Sequence, residues 1–149
     1  MSKSIARICL LIAAGTIAVA TTSCGASKVS QCNSIAKVTK EVETAAKDFD
    51  SPDTKDPAKA AQIFSNMAVK SQGFSKTIQA LDLQDEKLKN FQLRLVTMYE
   101  SYNKTFSKIA PAIKAKDAAA FNSQLAEIKS ESVKEEALGK ELSAYCTGK

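Results

Sequence analysis

Sulfur is the most reactive element this chain carries. Its 149 residues hold four cysteines, at positions 9, 24, 32 and 146, and no histidine. Without an imidazole there is no Ser-His-Asp or Cys-His nucleophile, no ring acid or base near neutrality, and the commonest metal ligand is missing. No Gly-rich phosphate loop is present, so any catalysis would fall to carboxylates or lysine alone. Asp48, Asp50, Asp53 and Asp56 form the one acidic cluster. Laid on an EF-hand loop starting at Asp48, it puts Pro52 at the fifth position, Asp53 where Gly is required and Lys59 where a bidentate Glu belongs. The cluster therefore reads as turn and helix-cap chemistry, and neither a metal nor a cofactor is expected. Tyr99, Tyr102 and Tyr145 stand at helical spacing, which predicts core packing with hydroxyls reaching solvent.

The segment that positions Cys24 is an export signal in form. Lys3 and Arg7 give a positive start, and Ile8 to Ala20 is an apolar run. That run would span about 20 Å as a helix, short of the roughly 30 Å hydrocarbon core of a bilayer. Two cuts compete. Ala18-Val19-Ala20 is a small-x-small site that would release a protein beginning at Thr21. Thr21-Thr22-Ser23-Cys24, followed by Gly25, resembles the lipobox of bacterial lipoproteins, in which the cysteine becomes the first residue and carries acyl chains. The cysteine count favours the second cut. Cys9 leaves with the signal, and three cysteines in an oxidising compartment leave one over unless Cys24 is acylated. The other uses for Cys24 are a plain place in a flexible tail or a local bond to Cys32.

About 125 residues then remain, enough for one domain with a core. Loss of Lys3 and Arg7 takes the formal charge from +5 to +3. The remaining lysines are spread along the chain as on a solvated helix surface, so no basic stripe exists and no nucleic-acid partner is expected. Abundant Ala, Lys, Ser, Glu and Leu, with few Gly and Pro, is a helical composition.

The periodicity predicts four helices. Gly25 to Ser30 is small and polar, a tether, and the first helix is expected from Gln31, with Ile35, Val38, Val42, Ala45 and Phe49 on its buried stripe. Asp50-Ser51-Pro52-Asp53 breaks it. Asp56-Pro57 opens a second helix with a stripe through Ala60, Ile63, Phe64, Met67, Phe74, Ile78 and Leu81, interrupted by Lys70, Ser71 and Gly73. Leu88, Phe91, Leu95, Met98, Tyr102, Phe106, Ile109 and Ile113 mark the central core helix, with Pro111 expected to bend or fray its last turn. After a turn and cap at Lys114 to Asp117, a fourth helix carries Phe121, Leu125, Ile128, Leu138, Leu142 and Tyr145, with Ser and Glu at its middle inward positions.

No Gly or Pro separates Leu81 from Leu88, so the second and third helices could also form one rod. Cys32 and Cys146 decide between the two. In an up-down-up-down bundle the start of the first helix and the end of the fourth share one end, whereas three helices would put the two cysteines at opposite ends. A turn is therefore expected at Asp82 to Asp85, and a Cys32 to Cys146 bond is expected to close nearly the whole domain, worth about 4.7 kcal/mol by chain entropy. With no Cys-x-x-Cys spacing, that bond reads as structural.

The run Leu81-Asp82-Leu83-Gln84-Asp85-Glu86-Lys87-Leu88-Lys89, then Met98-Tyr99, with Gln31-Cys32-Asn33 ahead and Tyr145-Cys146 behind, resembles small uncharacterised lipoproteins of cyanobacteria. An acylated cysteine followed by four helices is also similar in layout to the extrinsic lipoproteins on the lumenal side of cyanobacterial photosystem II. The resemblance implies no catalytic or ligand-binding residues, and a shared layout transfers no function. The expected protein is thus all-α: a signal peptide at 1–23, a tether at 24–30, and a four-helix up-down-up-down bundle at 31–149. It is expected to be exported, tied by lipid on Cys24 to a membrane facing the periplasm or thylakoid lumen, and to serve a membrane complex without catalysis. The alternative is a small-ligand or sensing domain with a pocket near Ser71, Gly73, Ser130 and Ser132. A hydrolase using paired carboxylates is a third reading, with composition alone behind it.

Overall fold

The computed structural model describes residues 26–47 and 56–148. These form four helices: α1 (Lys28–Lys47), α2 (Pro57–Gln79), α3 (Glu86–Lys114) and α4 (Ala118–Thr147). No strand occurs among the described residues. The expected signal peptide and its cleavage positions lie outside them, as do Cys24, Phe49, Asp48, Asp50 and Asp53.

Three of the four helix starts are fixed by an aspartate. Asp56 accepts from the amides of Ala58 and Lys59, Asp85 from Lys87 and Leu88, and Asp117 from Ala120. Each aspartate satisfies donors that the first helical turn leaves unpaired. At the α2 exit, the Gln92 side-chain amide reaches back from α3 to the carbonyls of Ile78 and Leu81, both at 2.8 Å. That separates α2 from α3 with neither Gly nor Pro in the turn. The rod alternative is thereby excluded.

The first helix differs from expectation at its start. It begins at Lys28, three residues ahead of Gln31 and inside the segment read as tether. Ser27 explains this. Its hydroxyl accepts from the Ser30 amide at 3.2 Å, its carbonyl accepts from the Gln31 amide at 3.0 Å, and the Gln31 side chain donates to Ala26 at 2.6 Å. A serine cap carries no hydrophobic periodicity, so the stripe alone put the start too late.

α3 is the helix around which the others pack. Leu88, Phe91, Leu95, Met98, Tyr102, Phe106 and Ile109 are buried, with Val96, Tyr99 and Thr105 beside them. Pro111 does not end it, because the helix runs on to Lys114. Against α3, α2 turns a seam of small residues. Ala61, Ala68, Ser71, Ser75 and Ile78 are buried on it, while Phe64, Met67 and Phe74 are half-buried at its flanks. The close approach shows in Asn103 of α3, whose amide donates to the Ala68 carbonyl at 2.7 Å. The interruption at Ser71 is therefore part of a helix contact and not a gap.

Phe64, early in α2, lies 6.3 Å from both Phe106, late in α3, and Phe121, early in α4. At the opposite pole the start of α1, the α2–α3 turn and the end of α4 meet through Gln31, Asp85 and Tyr145. α4 is the most exposed helix, with Glu131 and Leu138 its buried residues. Leu125, expected on the buried stripe, is exposed. The seam instead runs Phe121, Gln124, Ile128, Glu131, Glu135, Leu138, which leaves Leu125 turned outward.

Two backbone positions carry the wrong residue for stability. Lys116 sits at φ 55 with its amide on Ile113 and the Asp117 amide on Ala112, a left-handed helix ending that favours glycine. Gly73 is exposed mid-helix with open space where a Cβ would go. Lys116→Gly and Gly73→Ala are each expected to add about 0.5–1 kcal/mol in urea denaturation. A loss in either variant would contradict this reading.

Candidate functional site

The two remaining cysteines are joined. Cys32 and Cys146 form a disulfide across 114 residues of sequence, with Cα atoms 5.9 Å apart. Polar contacts from three elements converge beside it. The buried Gln31 side-chain oxygen accepts from the backbone amides of Gln84 at 2.6 Å and Asp85 at 2.9 Å, so α1 holds the α2–α3 turn directly. Asp85 accepts the Tyr145 hydroxyl at 2.8 Å, which ties that turn to the end of α4. The Tyr145 ring in turn lies under two ammonium groups, Lys28 Nζ at 3.7 Å and Lys87 Nζ at 4.6 Å from its centroid. A shallow open cleft follows, lined by Lys28, Lys87, Phe91, Glu141, Ala144 and Tyr145.

The electrostatics follow from these partners. The Leu88 amide first, then the Tyr145 hydroxyl, the Lys87 amide and the Lys28 charge, hold the Asp85 carboxyl below its ordinary value of 3.8. The same hydrogen bond, with burial and the Asp85 charge, pushes the Tyr145 phenol above 10.0.

A second polar cluster lies mid-bundle, where α4 puts glutamates on its seam. Glu135 accepts the hydroxyls of Tyr99 at 3.1 Å and Tyr102 at 2.9 Å. Both rings are buried. Burial first, then the Glu135 charge and hydrogen bond, drive both phenols far above 10.0. Phenols so held stay protonated at neutral pH and act as donors, not as bases or nucleophiles. Glu131, one turn earlier, is buried and paired with Lys134 at 2.8 Å.

For Tyr99 and Tyr102 this cluster corrects the expectation that tyrosine hydroxyls reach solvent, because both donate to Glu135, whereas Tyr145 is half-buried and donates to Asp85 at the disulfide pole. It also accounts for the polar middle of α4. Of the four residues expected near a pocket, Ser71 is buried on the α2 seam while Gly73, Ser130 and Ser132 are exposed, so the fold does not gather them. Asp56, the one described member of the acidic cluster, uses its carboxylate as a helix cap. Gln31 and Glu135 were not singled out from sequence. Glu135 was legible in principle, because it lies one seam step before Leu138. Gln31 carried no signal beyond adjacency to Cys32.

The shifts set opposite pH limits. Asp85 is depressed in the fold, so its contribution is present above 3.8 and is lost as pH falls through its lower folded value. In Asp85→Asn, urea midpoints should therefore fall less steeply below 3.8 than in the parent chain. A slope equal to the parent's would contradict the assignment. The phenols are raised, so their contribution is intact below 10.0 and is lost as pH rises toward their folded values. The chain has three tyrosines and no tryptophan, so tyrosinate absorbance reports them cleanly. The Tyr99 and Tyr102 share of it should stay low through 10.0 and rise only together with loss of helical circular dichroism, while half-buried Tyr145 ionises above 10.0 with the helices intact. Reversible ionisation of two or more phenols near 10.0 with the helices intact would overturn the geometry.

A family model described as Uncharacterised lipoprotein PM1805 matches residues 24–144, from the proposed lipid-bearing cysteine through nearly all of α4. No curated protein and no solved structure matches the chain. Membership of a lipoprotein family implies an exported protein held to a membrane by lipid. No helix among the described residues is long and apolar enough to cross a membrane. By the extent of that match, the chain belongs to the uncharacterised lipoprotein family PM1805.

Proposed function

We propose that the mature protein begins at Cys24, carries its acyl chains there, and works as a non-catalytic accessory protein at a membrane surface facing the periplasm or the thylakoid lumen. The observation that carries this reading is the family match, whose first residue is Cys24 itself. The bundle agrees with it: the other two cysteines of the mature chain are bonded to each other, which leaves Cys24 free for lipid. Tethering raises the effective concentration of the bundle toward anything embedded in the same membrane, and this is what an accessory protein without its own chemistry requires. The two clusters described above, at the disulfide pole and around Glu135, tie helices to one another and support a scaffold role.

Intact-mass measurement under non-reducing conditions tests the first half of the proposal. The expected species lacks residues 1–23, carries acyl mass on Cys24 and is lighter by two hydrogens for the disulfide. Cys24→Ser should move the protein from the membrane to the soluble fraction without changing its helical content. A native product starting at Thr21 would overturn the anchor. For the accessory role, the protein should migrate with a membrane complex on native gels in mild detergent. Migration at its own mass in every detergent tried would count against that role.

A further inference from the structure

We infer that the disulfide pole of the bundle lies directly against the bilayer, with Lys28, Val29 and Lys87 at the phospholipid headgroups. The inference rests on the acylation of Cys24 proposed above. Its starting point is the correction to the tether. The described residues start at Ala26, whose carbonyl already accepts from Gln31, and α1 begins at Lys28. Two residue steps from Cys24 to Ala26 reach at most about 7 Å, and four steps to Lys28 about 14 Å. That is on the order of one Debye length at physiological salt, too little chain for the domain to stand away from the surface. Gln31, the disulfide and the Asp85–Tyr145 hydrogen bond then fix the α2–α3 turn and the end of α4 to the same pole, so those elements come down with α1.

The side chains at this pole suit a headgroup layer. Lys28 and Lys87 each set an ammonium group against the Tyr145 ring, and tyrosine is a side chain enriched at the membrane–water interface. Val29, in the first turn of α1, is 63% exposed. Single exposed apolar residues are ordinary on proteins, so Val29 counts here for its position and not for its exposure alone. Asp82, Asp85, Glu86 and Glu141 share the pole, Glu86 pairs with Lys89 and Glu141 with Arg94, and with Lys28 and Lys87 counted the acidic and basic groups there cancel. The lysines therefore act by local contact with phosphate and not by net positive steering, and zwitterionic lipid is sufficient.

The test uses the full mature lipidated protein on phosphatidylcholine vesicles doped with a gadolinium-chelating lipid, read by amide line broadening. Broadening should be strongest at Lys28 to Cys32, Leu83 to Leu88 and Tyr145 to Gly148, and weakest at Ala112 to Ala120. In the double variant Lys28→Glu, Lys87→Glu, broadening at the disulfide pole should fall roughly twofold while the protein stays on the vesicles. Vesicle-bound protein with equal broadening at both poles, or stronger broadening at Ala112 to Ala120, would overturn the orientation and leave the anchor standing. Unchanged broadening in the double variant would overturn the role of the lysines. Protein that does not float with vesicles at all would overturn the anchor, and the orientation with it.

Discussion

The bond between Cys32 and Cys146 is the constraint on which the arrangement of this bundle depends. α1 contributes little buried surface of its own: Gln31, Cys32, Ile35 and Val38 are its buried residues. Fully burying an aliphatic side chain is worth about 1.5–3 kcal/mol, so Ile35 and Val38 together hold α1 by about 3–6 kcal/mol before ordering costs. The disulfide, by closing a loop of 114 residues, adds about 4.7 kcal/mol in the chain-entropy account. The two terms are of similar size. α1 therefore stays docked because sulfur and packing act together, and Gln31 then converts that docking into order at the α2–α3 turn.

The middle of the bundle is specified differently. A carboxylate on a packing seam is costly unless its lone pairs are met, and Glu135 meets them with two phenols. Sliding α4 by one seam step in one direction would bring Leu138 to Tyr99 and Tyr102 and leave Glu135 without donors, whereas the opposite step would offer them the Glu131 carboxylate. The pair thus discriminates against the first of these registers, as a polar residue on a coiled-coil seam does. Arg94 and Glu141 also join α3 to α4 through two hydrogen bonds, at 2.6 and 3.1 Å. Both are exposed, so solvent screening leaves that ion pair a minor contributor.

How much of this the sequence revealed depended on what each seam is made of. The main stripe of α3 was legible, because the positions that carry it are large and apolar and the period announces itself in Leu88, Phe91, Leu95 and their successors as far as Ile109, while Thr105, Ala110 and Ala112 beside it were not read. The α2 seam was read as broken, since Ala61, Ala68, Ser71 and Ser75 weigh little in a hydrophobic count although small size is what lets two helices approach. On α4, Leu125 was assigned inward because hydrophobicity was taken as the guide to direction, and the Ser and Glu placed at the middle inward positions were given no partner, whereas the phenols of Tyr99 and Tyr102 on α3 are what Glu135 meets. The start of α1 was set by a serine cap that leaves no periodic trace. The joining of Cys32 to Cys146 followed from counting and topology, and the neighbouring contacts of Gln31 and Tyr145 did not, since they need three elements already assembled.

A short link between anchor and fold changes what tethering can achieve. A long flexible linker lets a domain sample a shell of positions, and effective concentration falls as that shell grows. With acyl chains on Cys24, as proposed, only one residue would separate the anchor from Ala26, whose carbonyl already accepts from Gln31, so the bundle would have few positions to sample. α3, at 29 residues, is about 43 Å long, and its far end with the turn at Ala115 to Asp117 would be held at nearly that height above the lipid. A partner recognising that far end must itself project from the membrane by a similar distance. One recognising the sides of the bundle would meet the exposed face of α4, whose outward residues are mostly polar and charged. On the proposed anchor at Cys24, the shortness of the link, more than any single surface residue, would then limit which membrane proteins this bundle can reach.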